Sequence, residues 1–476
     1  MASTNSLRCL GRPRISIAPR IQPYFAATVP FTTSTALNAK TPALVKAQPK
    51  PQKKSYKKGG AAVSVKKPQP GERKAFRKRI QLSNNSALPV TSSQMLEADT
   101  LSNPENAGKV VALPDALVDQ LRALEAFKHT QSWGLFRRPH VLVRDETLRL
   151  MKKLQESAEK KEGLKAVITG SKLSGKSTML LQAMSYALQN DWVAIHLPEG
   201  EFTQLPHDFV LLLTLETAFE LTNGQTDYSP VPETEPMQFY QPAYCLALLQ
   251  NILKANRKVL TSLRMEKDWT RLPTVTQGAT LADLVSSCRE GEYAWPTLSA
   301  LWTELTLPGR PPVLFTLDGL SHINKMSEYR DPSYKPIHAH DLTLIGMFVA
   351  ALSGKTPLPN GGAVIAATSG NNTIHPPSQE LALAQLEAGQ AGKEVPKPNP
   401  YERKYENRVY DALKNSYVLR VEGVTKEEGR SLMEYWGASG LAKGVIDTRT
   451  VTEKWALGGH GLVGEMERAT LMTMRL

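Results

Sequence analysis

Hydrophobic positions along this chain first fall into a regular pattern near residue 113. Leu117, Leu121, Leu124 and Phe127 recur at intervals of three and four, with Asp115 and Asp119 on other faces, which predicts an amphipathic helix. A second helix is predicted over Glu146 to Lys160, ended by Gly163. A short apolar run, Lys165 to Thr169, then reads as a strand, followed by a loop and a helix from Lys176 to Gln189. Asp191 opens a further strand, Trp192 to Leu197, closed by Pro198 and Gly200. Helices are expected around Pro242 to Val259, with Pro242 tolerated in the first turn, and around Leu281 to Cys288.

Val313 to Leu317 and Ala363 to Ala367 read as buried strands, separated by an amphipathic helix over Asp341 to Leu352. A linker containing Pro and Gly leads to a helix over Tyr401 to Asn415 and a strand over Tyr417 to Val421. Thr425 and Glu428 form a capping box for a helix reaching Trp436. The last forty residues, with Gly458, Gly459, Gly461 and Gly464, read as loop and a short terminal helix. Tyr240, Tyr244 and Trp295 read as packing residues. Strands alternating with helices predict an α/β fold: a mostly parallel sheet covered on both faces, with helical insertions and a small helical region at the C-terminus. Such a sheet binds ligands at the carboxyl ends of its strands.

The chemistry is concentrated there. Gly170-Ser171-Lys172-Leu173-Ser174-Gly175-Lys176-Ser177 fits the eight-residue phosphate-loop pattern, with a strand before it and a helix after it, in which Thr178 is the first residue past the motif and a further cofactor-binding candidate. Its glycines permit close backbone approach, successive amides face the phosphates, and the helix N-terminus adds favourable potential. Lys176 is placed to reach the β and γ phosphates and Ser177 to coordinate magnesium. Asp318, ending a strand, is the second acid expected near that ion. The next residue is Gly319, where hydrolases of this architecture usually carry a water-activating glutamate, so hydrolysis of GTP or ATP is expected to be slow or absent unless Glu328 or a partner supplies a base. Ser369 and Asn371 are weaker candidates for sensing the γ phosphate. Asn324-Lys325-Met326-Ser327 superficially matches a guanine-reading motif but lacks its aspartate.

Composition changes the picture mainly at the N-terminus. The chain carries 58 Lys and Arg against 45 Asp and Glu, but residues 1–80 hold 18 of the bases and one acid, Glu72, leaving 40 bases and 44 acids for the rest. The first forty residues are Arg-rich, Ser-rich and free of acids, the composition of a mitochondrial presequence; a disordered cytosolic tail is the alternative. From Lys46 to Arg79, paired lysines and a final Arg/Lys cluster are spaced by Pro, Gly and Gln. That tract cannot bury enough surface to fold alone and suits a phosphate backbone such as RNA, or else serves as a solvated spacer. No apolar run is long enough for a membrane span, and Cys9, Cys245 and Cys288 have neither disulfide nor metal-ligand spacing.

The segment Trp133-Gly134-Leu135-Phe136-Arg137-Arg138-Pro139, the phosphate loop, Asp191-Trp192 with Ile195-His196-Leu197-Pro198, Leu221-Thr222-Asn223-Gly224, Asp227-Tyr228 and Val313 to Gly319 together resemble the mitochondrial ribosomal mS29, or death-associated protein 3, family in its fungal form. The resemblance implies an AAA+-like P-loop NTPase fold and a place in the head of the mitochondrial small ribosomal subunit. It further implies contacts to small-subunit rRNA, to neighbouring small-subunit proteins and, across a bridge, to the large subunit. It also implies a guanine nucleotide (GTP or GDP, with ATP as the other purine option) and Mg2+, held by Gly170, Gly175, Lys176, Ser177 and Asp318. The expected divisions are a presequence over 1–40, a basic extension over 41–110, a nucleotide-binding domain over 111–395 and a helical subdomain over 396–476. Two other functions stay open at this point: a free matrix NTPase and a nucleotide-regulated signalling protein.

Overall fold

The computed structural model describes residues 80–472 apart from 200–219, 225, 233, 270–271, 273–277 and 371–374. The presequence and the basic tract lie outside the described residues. The chain divides between Lys67 and Pro68, and every described residue belongs to the second unit.

Five parallel strands form the central sheet: β1 (Leu164–Gly170), β2 (Val193–Leu197), β3 (Val313–Asp318), β4 (Gly362–Ala367) and β5 (Tyr417–Val421). Their spatial order is β5-β1-β4-β3-β2. All of β2, β3 and β4 is buried, as expected of parallel strands covered on both faces. Alternate residues enter two different cores. Val167, Ile195, Phe315 and Val364 pack under the helices Pro242–Ala255, Ala294–Leu305 and Thr343–Ser353. Ala166, Ile168, Leu314 and Ile365 pack under Asp115–Ala123, Asp145–Lys160 and Lys176–Gln189. The fold class expected from the alternating pattern is the one observed.

Strand order positions the site. β4 lies between β1 and β3, and Ala367 is in register with Ile168 on one side and Asp318 on the other. Asp318 therefore lies level with the end of β1, two strand spacings or about 10 Å across the sheet, where the loop begins.

Several elements differ from the sequence reading. The helix expected to Val259 breaks at Asn256 into Pro242–Ala255 and Arg257–Ser262. Asn256 instead pairs with the edge of β2: its Oδ1 accepts from the Ala194 amide at 2.8 Å and its Nδ2 donates to the Ala194 carbonyl at 2.8 Å. The helix Ala294–Leu305 has no counterpart in the sequence reading, and Pro377–Gln390 falls in the expected linker; proline lies within the first three residues of each, where a helix tolerates it. The helix expected over Tyr401 to Asn415 shortens to Asn407–Leu413, and Thr448–Leu457 is helical where loop was expected. Short antiparallel pairs are added at Val110–Ala112 with His140–Leu142 and at Met326–Arg330 with Pro336–His338. The extension expected to reach residue 110 is packed from residue 80 onward, since Leu82, Leu96 and Leu101 are buried against the body.

Candidate nucleotide site

The loop is held open by backbone conformations that its sequence permits. Gly170 has φ +142, and a Cβ there would lie 2.2 Å from the Val421 carbonyl of β5. Gly175, at φ +104, is the residue from which the helix Lys176–Gln189 starts. Leu173 also takes positive φ, 64°, an unusual conformation for a side-chain-bearing residue. Its carbonyl accepts from the Gly464 amide at 3.2 Å, which ties the loop's apex to the C-terminal region. A buried arginine fixes the other side: Arg144 Nη1 donates to the Ser174 carbonyl at 3.0 Å, and Nη2 to the Glu422 carbonyl at 2.9 Å and to Glu146 at 3.2 Å.

Lys176 is folded back, donating to the carbonyls of Gly170 at 2.8 Å and Ser171 at 2.7 Å. Burial pushes its ammonium below the ordinary value, opposed in part by the Asp318 carboxylate. An anion entering the loop would give this cation a stronger partner than two carbonyls.

Asp318 is brought to the loop as expected, but it is not a bare acid. Lys128 Nζ lies 2.7 Å from Asp318 Oδ2 and 2.6 Å from Glu199 Oε2. Glu199 is bonded in turn by Ser369 Oγ and lies 3.4 Å from His322 Nε2. Burial alone would raise the Glu199 carboxyl, yet His322, Lys128 and Ser369 together hold it well below the carboxylate range. For Lys128, burial works against the charge, and Asp318 and Glu199 more than compensate, so its ammonium is raised.

Lys128, Arg144, Lys176, Glu199, Asp318 and Ser369 line one cavity of about 330 Å³, within the size range of small-ligand sites. Lys172 to Thr178, Asp318, Glu199 and Ser369 form its loop end; Phe136, His140, Tyr435, Val463 and Glu467 also line it. Tyr435 stacks on Phe136 with centroids 5.1 Å apart and meets His140 at 4.4 Å. Ser174 Oγ, Arg144 Nε and His140 Nε2 are buried polar atoms with no protein partner, and all three residues face this cavity. Unsatisfied buried groups are costly, so their convergence fits a polar ligand with phosphate at the loop end. For magnesium the donors are hard oxygens, Ser177 and Asp318, lining the same cavity. Among the described residues no group of three His, Cys, Asp or Glu could hold a metal, so phosphate oxygens and water would supply its remaining ligands.

The weaker sequence candidates separate. Ser369 reaches the site through Glu199. Asn371 lies outside the described residues. Glu328 lies on the outer hairpin beside Gly224, away from the cavity, so it supplies no base. Asn324 is buried and engaged with Gln379 and His340, which removes the guanine-motif reading. Lys128, Arg144, Glu199 and Glu467 were missed. Glu199 stood inside a Pro-Glu-Gly sequence read as a turn, and no local signal joins Lys128 to a loop more than forty residues away.

A five-stranded parallel sheet with a phosphate-loop motif after its first strand, and an acid ending a strand one removed from it, defines a P-loop-type fold. The family model "Mitochondrial ribosomal death-associated protein 3" matches residues 141–208 and 205–469. The small ribosomal subunit protein mS29 of Neurospora crassa is 44% identical over the whole of both chains. The mS29 proteins of Schizosaccharomyces pombe (24% identical, 72% of this chain and 67% of that one) and Bos taurus (20%, 62% and 71%) are also similar. The chain belongs to the mitochondrial ribosomal death-associated protein 3, or mS29, family, in its fungal form.

Proposed function

We propose that the chain serves as a structural component of the mitochondrial small ribosomal subunit and holds a purine nucleotide with magnesium as part of its fold. Family membership supports the ribosomal role. The observation that supports the nucleotide is the loop itself: Gly170 and Gly175 at positive φ and Lys176 folded onto the loop carbonyls, with unpartnered polar atoms of Ser174, Arg144 and His140 nearby. Lys176 and the loop amides of Ser171 to Ser177 would take the phosphates. Thr178 continues the helix start behind them, and Ser177 with phosphate oxygens would hold Mg2+, Asp318 acting through the ion's water shell. The nucleotide is proposed as GTP or GDP, following the family resemblance, with ATP the competitor to test. The basic tract over residues 46–79 is proposed to meet small-subunit rRNA, and the body to meet neighbouring small-subunit proteins and a bridge to the large subunit.

Turnover in this role is proposed to be slow or absent, because position 319 carries no base. Small subunits purified from mitochondria should yield one equivalent of purine nucleotide on acid extraction, and Lys176→Ala subunits should yield little. Normal nucleotide content in the Lys176→Ala subunits would sink the site, and failure of the wild-type chain to sediment with the small subunit would sink the ribosomal role. Rapid phosphate release by the free protein would favour a matrix NTPase instead.

A further inference from the structure

The loop end of the cavity holds two buried carboxylates, and a lysine from a distant part of the chain sits between them. Lys128 follows the helix Asp115–Ala123, and its position is fixed by more than its two acids. Its amide donates to Gln131 Oε1 at 3.1 Å, while Trp133 Nε1 donates to the same oxygen at 2.6 Å. Trp133 meets Phe127 edge-on at 5.3 Å, so the residue just before Lys128 is packed in place as well. The side chain of Lys128 is 14% exposed, and those of Glu199 and Asp318 are 4% exposed. Glu199 cannot swing away, because Ser369 and His322 hold its other oxygen.

Two acids this close to a phosphate loop would repel a nucleotide's phosphates strongly in a water-poor site. Phosphate-loop proteins commonly meet that charge with magnesium. Here a covalently attached cation already lies on both carboxylates.

We propose that Lys128 is a built-in cation of the nucleotide site, occupying the position between Glu199 and Asp318 that a divalent ion would otherwise take, so that nucleotide retention survives the loss of magnesium. Magnesium bound through Ser177 and the phosphates then adds to a site where one of the two acid charges is already offset. The nucleotide part of this proposal rests on the function proposed above; the placement of the cation does not.

The test has two arms on the purified full-length protein. In the first, wild type and Lys128→Met are melted with and without millimolar magnesium chloride, no nucleotide being present. Wild type should shift by less than about 1 °C, whereas Lys128→Met should melt several degrees lower and regain at least half of that loss in magnesium. Equal magnesium responses in the two proteins would overturn the proposal. The second arm uses wild type alone, so it decides even where the variant does not fold. Binding of a fluorescent guanine nucleotide in EDTA should stay within about threefold of that in magnesium, a difference below 1 kcal/mol. A loss of about a hundredfold or more in EDTA would overturn the role of Lys128. No binding in either buffer would overturn the nucleotide reading, while the magnesium melts would still decide whether Lys128 fills the cation position.

Discussion

Removing Arg144 should loosen both the fold and the nucleotide loop, by an amount that can be worked from its contacts. The residue is 5% exposed and spans three segments: the Ser174 carbonyl of the loop, the Glu422 carbonyl after β5 and the Glu146 carboxylate at the start of the helix Asp145–Lys160. Arg144→Ala strands two carbonyls and a largely buried carboxylate. Hydrogen bonds to a charged donor contribute about 1.5–3 kcal/mol each, but water and relaxation recover part of the loss. Removing one partner of a buried ion pair costs about 3–5 kcal/mol, and that range is the expected destabilisation. Urea unfolding followed by tryptophan fluorescence measures it directly. The diagnostic step is a cycle with Glu146→Gln. In the Arg144→Ala background that change should restore about 1 kcal/mol or more, because it removes the uncompensated charge, whereas in wild type it should destabilise. A loss below about 1 kcal/mol for Arg144→Ala, or the same effect of Glu146→Gln in both backgrounds, would refute the role given to this residue.

Three further outcomes follow from other parts of the molecule. Gly170→Ala should cost at least about 2 kcal/mol in the same urea assay, since its Cβ would meet the Val421 carbonyl at 2.2 Å, while Gly389→Ala, in open space on a helix, should be neutral or stabilising by up to about 1 kcal/mol. Burial lowers His196 to about 4 and His340 to about 2, so the unfolded chain takes up protons first as acid is added. Their contribution is complete above the ordinary histidine value and is lost as pH falls below it, each with a slope of about 1.4 kcal/mol per pH unit, and His196→Gln should flatten the curve between about pH 6 and 4.5 by one such slope. Deleting residues 46–79 with targeting preserved should make small-subunit incorporation weaker and less salt-sensitive; unchanged incorporation would mark the tract as a spacer.

What could be read from the chain was what local pattern encodes. β1 through β5 are short apolar runs, and the phosphate loop is a contiguous eight-residue motif, so both were visible. Asp318 was found because it ends such a run. The helices Ala294–Leu305 and Pro377–Gln390, each with an early proline, were not read from the pattern. The break at Asn256 could not be seen locally, since its cause is pairing with Ala194, sixty-two residues earlier. The same reason hid the Lys128, Glu199 and Arg144 contacts. Each reaches its partners across the strand order β5-β1-β4-β3-β2, which hydrophobic periodicity does not specify.

Gly319 means more in the structure than it does in the sequence. As a letter it is a missing glutamate. In place, it sits at φ +85 with its amide donating to the Ala367 carbonyl at 3.0 Å, and a Cβ there would lie 2.9 Å from His322 Cδ2 and 3.2 Å from Glu199 Cγ. A glutamate at this position would have to displace both residues and adopt a backbone conformation that side chains resist. Glu199, the acid that a Cβ at 319 would meet, is already bonded by Lys128, Ser369 and His322. The glycine at 319 is therefore matched to the packing of the residues around it. A site shaped this way is suited to holding its ligand. A nucleotide present at a hundred times its dissociation constant would add about 2.7 kcal/mol to the folded state, a little less than the loss expected on removing Arg144. Hydrolysis would vary that contribution with every cycle. For a component that must keep one shape inside a larger particle, an unreacted ligand is the more useful one.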